Sequence, residues 1–266
     1  MRVPVIALAL VILASACGDD LGGDGPSGPG RPTGAGEVVV QVMVAGGFVP
    51  VEHAVSAVPV VTVLGDGTVI TTAPVLAIYP GPAIAPLQSV KVPAQTVDDL
   101  VARAGELGLL KGPLDFGRPP VADAPDTTVT VTAGGRTHRH SASALGMGDE
   151  TVGGQAAANR RALQTFVAAT QALPPGRDVW TPPAVAVYVV GSYTSDPSLP
   201  QPSQAWPLAT PPATTGAGYP CTLVSGADVG TLLDALRRAN ARTPWMIGGV
   251  ARSVAFRPVL PGQPDC

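Results

Sequence analysis

Residues 127–133 alternate Val with Thr, the chain turns at Gly134-Gly135, and residues 136–145 run back. Strict alternation puts successive side chains on opposite faces of a strand, so this stretch predicts a hairpin, and it constrains the fold more than any other feature. The same pattern recurs earlier. Val38, Val40, Val42 and Val44 share one parity in a predicted strand over 37–44. Runs over 58–64 and 68–72 flank Gly65-Asp66-Gly67, and an Asp-Gly pair between β-branched runs is a strong hairpin signal. Further strands are expected over 87–92, at 184–190 as a buried central strand, at 222–224, and on both sides of Gly248-Gly249. With 32 Gly and 30 Pro in 266 residues, turns must be frequent. Apolar character comes largely from Ala and Val, which suits closely spaced strands.

Three helices break this pattern. One is expected from Thr96, where Thr96-Val97-Asp98-Asp99 resembles a capping box and Val97, Leu100, Val101, Ala104 and Leu107 form an apolar stripe. A second fits 155–173, with Leu163, Phe166, Val167 and Thr170 on one side and Pro174-Pro175 as the stop. A third opens at Asp228, with Val229, Leu232, Leu233 and Leu236 at the same spacing as in the first. Residues 73–86, broken by four prolines, read as an irregular excursion. Strands in runs with helices between hairpins give an α+β fold, mainly antiparallel. Each of two segments carries a short strand, a helix and a hairpin closed at Gly-Gly. They are either two related units or the coincidence that any amphipathic helix shows those offsets. The expected organisation is a signal segment over 1–16, a tether over 17–36, an α+β unit over 37–150, and a second over 151–266 with a Pro-rich loop.

The first residues carry an address. Met1-Arg2 is followed by an apolar run over 3–13, far short of the ~20 residues a membrane-spanning helix needs. Leu13-Ala14-Ser15-Ala16-Cys17 resembles the lipobox of bacterial lipoproteins, with Ala14 where that family usually places Leu, Val or Ile. The resemblance implies diacylation or triacylation of Cys17, with palmitate-type chains holding the protein on the extracytoplasmic face of a membrane. Ordinary secretion with a nearby cut is the alternative. Eleven of the twenty residues from Cys17 to Gly36 are Gly or Pro, so 17–36 reads as a disordered tether.

Two cysteines remain, Cys221 and Cys266. An oxidising compartment favours their pairing, which would close a loop of 46 residues, and free thiols are the other reading. Around them, Ser225-Gly226-Ala227-Asp228, the segment from Ala239 to Trp245, and Arg257-Pro258-Val259-Leu260-Pro261 resemble uncharacterised exported proteins of high-GC Gram-positive bacteria. That resemblance covers about 50 residues and implies no activity.

Composition narrows the function classes. Net charge is −3, only 13% of residues are charged, and no basic cluster is visible, which argues against nucleic acid. Aromatic residues are 4%, too few for an aromatic-lined platform. His138 and His140, two apart in a predicted strand, share a face as metal ligands often do, and His53 beside Glu52, Asp123 or Asp126 could complete a zinc set. Arg136 and Arg139 disfavour a cation there, and a solvated hairpin arm is the alternative that weighs more. Asp98-Asp99 suits a helix N-terminus, while Asp149-Glu150 has no assigned role. Neither Ser192 nor Ser225 lies in a Gly-x-Ser-x-Gly frame, and no phosphate loop or Cys-x-x-Cys occurs. Trp206 in the Pro-rich loop over 194–220 and Trp245 after the third helix are candidates for a protein-binding surface, weighed against folding back over a thin core. No cofactor is implied. The expected partners are the membrane, through the anchor, and an envelope protein. Three functions stand: a non-catalytic interaction or structural module, favoured; an envelope hydrolase; and a solute-binding lipoprotein.

Overall fold

The computed structural model describes residues 30–216 and 218–266. The signal segment and Cys17 lie outside the described residues.

In chain order the elements are β1 (Val38–Ala45), α1 (Val51–Ser56), β2 (Val61–Leu64), β3 (Thr68–Thr72), β4 (Leu87–Lys91), α2 (Ala94–Glu106), β5 (Asp126–Ala133), β6 (Arg136–Ser143), α3 (Gly154–Gln171), β7 (Asp178–Val179), β8 (Ala184–Ser192), β9 (Gln204–Ala205), β10 (Cys221–Ser225), α4 (Asp228–Leu236), β11 (Trp245–Ile247) and β12 (Val250–Pro258). They build an α+β fold with two sheets, ordered β6-β5-β1-β2-β3-β4-β7 and β10-β8-β12-β11-β9. All strand pairs are antiparallel except β9 with β11.

The alternating runs form strands because one parity of each finds apolar cover. Val129 and Val131 from β5 and Val40 and Val42 from β1 pack against Val97, Leu100, Val101 and Ala104 of α2 and Leu163 and Phe166 of α3. Both helices therefore cover the first sheet. The change of core falls between α3 and β8, not at residue 150. On that sheet's other face, Ile70, Leu64 and Leu87 meet Leu260 and Trp180. In the second core Val185, Val187 and Val189 of β8 pack with Val229, Leu232 and Leu236 of α4. α1, from the first half of the chain, contacts β8 and β12 of the second sheet. The two halves thus share a surface.

Both segments expected as strand–helix–hairpin units have that local order, β4-α2-β5-β6 and β10-α4-β11-β12. Their hairpins join the sheets differently. β5, the first hairpin strand, pairs with β1, whereas β12, the second, pairs with β8. The echo is local to the helix and does not extend to topology.

The tether expectation needs correction at its end. Gly30 accepts a hydrogen bond from the Gly134 N–H at 2.6 Å. The Arg31 side chain is only 7% exposed and donates to Asp98 Oδ1 (2.6 Å), the Gly65 carbonyl (2.8 Å) and the Ala94 carbonyl (3.2 Å). A Cβ on Gly65 would lie 2.7 Å from the Gly34 backbone nitrogen, so only glycine lets this segment pass so close. Residues 30–36 are held against one end of the first sheet, where the β2–β3 and β5–β6 turns meet the start of α2. Register fixes what lies at the other end. Val38 pairs with Leu64 near the entry, while Ala45 pairs with Asp126 and Thr72 with Leu87 at the far end.

Cys221 and Cys266, 45 apart in sequence, form a disulfide with a Cα–Cα distance of 5.8 Å. It ties the C-terminal segment to edge strand β10, and loop-closure entropy assigns it roughly 4 kcal/mol. Nearby, the buried Arg257 donates to the Tyr188 hydroxyl (3.1 Å) and the Pro264 carbonyl (2.9 Å). Among the described residues no helix is long and apolar enough to cross a membrane.

Candidate functional site

The residues singled out in the sequence do not come together. His140 is buried, its Nε2 lies 2.7 Å from the Leu109 carbonyl, and its ring meets Phe116 edge-on at 5.8 Å. His138 Nδ1 lies 3.3 Å from the Lys111 carbonyl. The pair braces the loop after α2, so the expected solvated arm is corrected at His140, which faces inward. No group of three His, Cys, Asp or Glu side chains that could hold a metal occurs among the described residues.

Asp149 receives Arg160 Nε at 2.6 Å, and Gln164 donates to its other oxygen at 2.5 Å. Arg160, 1% exposed, also donates to the carbonyls of Phe116, Ser143 and Ala144. This buried cation is fully paired and anchors the chain entering α3.

Trp245 is buried and Trp206 half-buried. They meet edge-on at 6.0 Å, Trp206 stacks on Phe256 at 6.4 Å, and the Trp206 Nε1 donates to the Thr210 carbonyl at 2.9 Å. Trp245 belongs to the second core and Trp206 packs against it, the arrangement that the folded-back alternative describes. The Pro-rich loop is folded back over that core through Trp206.

A cleft of about 520 Å³ lies elsewhere, assembled from five separate stretches of chain. The first is α1, which begins directly after Pro50 and supplies Glu52 and His53. The second is the excursion after β3, with Tyr79, Gly81 and Pro82. This excursion is stitched to the second sheet by the Ala241 N–H donating to the Gly81 carbonyl (2.9 Å) and by bridges from Pro82 to Asn240 and from Ile84 to Phe256. The third stretch is the end of β8 with Gly191, Ser192, Tyr193 and Thr194. The fourth holds Arg242 and Thr243, and the fifth is Ser253 and Val254 of β12. Arg242 is positioned by a turn in which Asn240 Oδ1 accepts from its N–H at 2.8 Å, while Asn240 Nδ2 donates to Gln201 at 2.7 Å. The floor is bulged. Ser253 pairs with Gly191 but Val254 pairs with Val189, leaving Val190 as the extra residue. Bulges re-aim side chains at such places.

Glu52 and Arg242 are half-buried, and among the described residues neither side chain has a hydrogen-bond or ion-pair partner in the chain. The Tyr193 hydroxyl and Arg252 Nε are buried with no partner among the described residues. Asp196, just beyond Thr194, is held below the ordinary carboxylate range, first by the Ser198 hydroxyl, then by the Ser198 N–H, with a smaller contribution from the positive charge of Arg242. No hydrogen bond joins His53 to Glu52, Ser192 or Ser253 among the described residues. A nucleophile–base pair is therefore not preassembled. What the arrangement can do is bind a polar ligand through one cation, one carboxylate and several hydroxyls.

The rim is apolar. Phe48 is 89% exposed, Leu76 77% and Tyr79 71%, with Ile78 beside them. Residues 73–86 carry no charge. Sequence reasoning weighed His53 and Glu52 only as distant zinc ligands and passed over Tyr193, Arg242 and Ser253. Nothing local marks them, because their proximity arises from the docking of α1 and the excursion onto β8 and β12.

Compared with known protein families, with curated proteins and with solved structures, the chain matches none.

Proposed function

We propose that this chain is a lipid-anchored extracytoplasmic protein whose folded part acts by binding, through the cleft lined by Glu52, His53, Tyr193 and Arg242, and performs no catalysis of its own. The address rests on the Cys17 motif. It is supported by the Cys221–Cys266 disulfide, a bond favoured in oxidising compartments. The observation that carries the binding reading is the cleft itself. Its volume, about 520 Å³, lies within the ~300–1,000 Å³ typical of small-ligand sites, and the Glu52 and Arg242 side chains, without a hydrogen-bond partner among the described residues, line it. A second reading, an envelope hydrolase, has one observation in its favour: His53, Glu52, Ser192 and Ser253 line the same cleft. Catalytic hydrogen bonds often tighten only once substrate is bound.

One experiment addresses both. The full chain is purified from its native membranes and analysed by native mass spectrometry, alongside Ser192→Trp, which fills the cleft from an exposed position. A ligand mass carried by wild type and absent from the variant is the expected result. The ligand should be released chemically unchanged. Release as a cleaved product would favour the hydrolase, and equal occupancy of both proteins would remove the cleft from the function. Cys17→Ser should abolish incorporation of labelled palmitate and shift the protein out of the membrane fraction.

A further inference from the structure

We infer that the cleft holds a dipolar ligand, one carrying a carboxylate and an ammonium on one short backbone, with the carboxylate at Arg242 and the ammonium at Glu52. The inference rests on the binding reading and names the chemistry of its ligand.

Two opposite charges line one cleft and do not pair with each other. Glu52 projects from α1, which comes from the first half of the chain. Arg242 is set by the turn at Asn240 on the other side. Elsewhere this chain pairs most of its shielded charges: Arg31 with Asp98, Arg160 with Asp149, and Arg257 with a hydroxyl and a carbonyl, with Arg252 Nε the exception among the described residues. Arg242 acts on Asp196 only at a distance, with no hydrogen bond between them, so two half-buried charges of opposite sign in one cavity suit a ligand that contacts both. A simple anion would be drawn to Arg242 but repelled by Glu52, and a simple cation would meet the reverse. A neutral sugar would leave both charges no better paired than water does. A free amino acid or short peptide supplies both groups at once, and charge-assisted contacts of this kind are the strong ones.

The rest of the cleft fits the same class. Ser192, Thr194 and Ser253 line it with hydroxyl side chains suited to a ligand's amide groups. Tyr79, largely exposed at the mouth, and Pro50 and Pro82 provide apolar cover for a small side chain.

The test is isothermal titration calorimetry on the full chain in detergent, with alanyl-alanine, its N-acetyl derivative, its C-terminal amide, and maltose. The free dipeptide should bind, and masking either end should weaken it about tenfold or more, as expected for losing one charged contact. Maltose should not bind. Glu52→Gln should remove discrimination against the N-acetyl form only, and Arg242→Gln discrimination against the amide only. Because neither side chain holds the fold together, both variants should melt with wild type. If one does not, the wild-type contrast between free and blocked dipeptides decides alone. Equal binding of blocked and free forms, or no binding of the free form, overturns the inference. If the dipeptide fails while the native ligand mass still depends on an open cleft, this inference falls and the binding reading stands. If both fail, both fall.

Discussion

Arg31 shows how a single side chain can contradict the composition around it. The Gly/Pro content of 17–36 predicts a tract with nothing to bury, yet this guanidinium is buried and joined to Asp98 and two distant carbonyls. Arg31→Ala should cost about 1.5–3 kcal/mol in urea unfolding, as hydrogen bonds to a charged group do, and should make residues 30–36 newly sensitive to protease. An unchanged midpoint would mean the segment only rests on the surface. Asp66 offers a second test. Burial alone would raise its pKa, but the hydrogen bonds from Lys91 and Thr68 prevail and lower it from 3.8 to about 2. Its folded pKa lies below its unfolded one, so its contribution is fully present above pH 3.8 and is lost as pH falls through about 2. The difference in melting temperature between wild type and Asp66→Asn should therefore be constant near neutrality and shrink across that acid window. A difference that persists below pH 2 would exclude the carboxylate as its source.

At the scale of elements, the strands and long helices were legible because their pattern and burial agree. The alternation of β5 and β6, the turn at Gly65-Asp66-Gly67, and the stripes of α2, α3 and α4 all place the expected residues in a core. Local signals misled at their margins. α2 starts at Ala94 after Pro93, so Thr96 lies inside the helix and makes no capping bond. α1 was missed because six residues carry too little periodicity, and its docking on β8 and β12 is a tertiary event. The two-residue strands β7 and β9 exist only through their neighbours. The candidate site inherits this difficulty, since its residues come from five stretches whose approach depends on α1 and on the excursion after β3. The Pro-rich loop behaves as core cover. Trp206→Ala should cost on the order of 2 kcal/mol, below the usual value for a fully buried Trp because this one is half-buried. The loss should appear in thermal unfolding and leave ligand binding at the cleft intact. A variant of normal stability that loses a partner would favour the surface role that the sequence offered as one of two readings.

Taken as a whole, the molecule has a polarity set by strand register. The chain enters beside the β2–β3 and β5–β6 turns, while Phe48, Tyr79 and the cleft mouth follow the opposite ends of β1 and β3. Eight residues of β1 separate those ends by about 26 Å at ~3.3 Å each. Lipid on Cys17 would be joined to Gly30 by 30 − 17 = 13 residues, at most roughly 45 Å of chain. In vesicles carrying a lipid-borne quencher, a dye at Arg136→Cys should then be quenched more strongly than one at Phe48→Cys, and the reverse order would show the molecule inverted. With the anchor proposed for Cys17, the uncharged Phe48 and Leu76 tips would lie at the end of the sheet away from the tether. The site would face outward like a hand held up from a moored boat, sampling what drifts through the wall or medium and screened from the lipids beneath it.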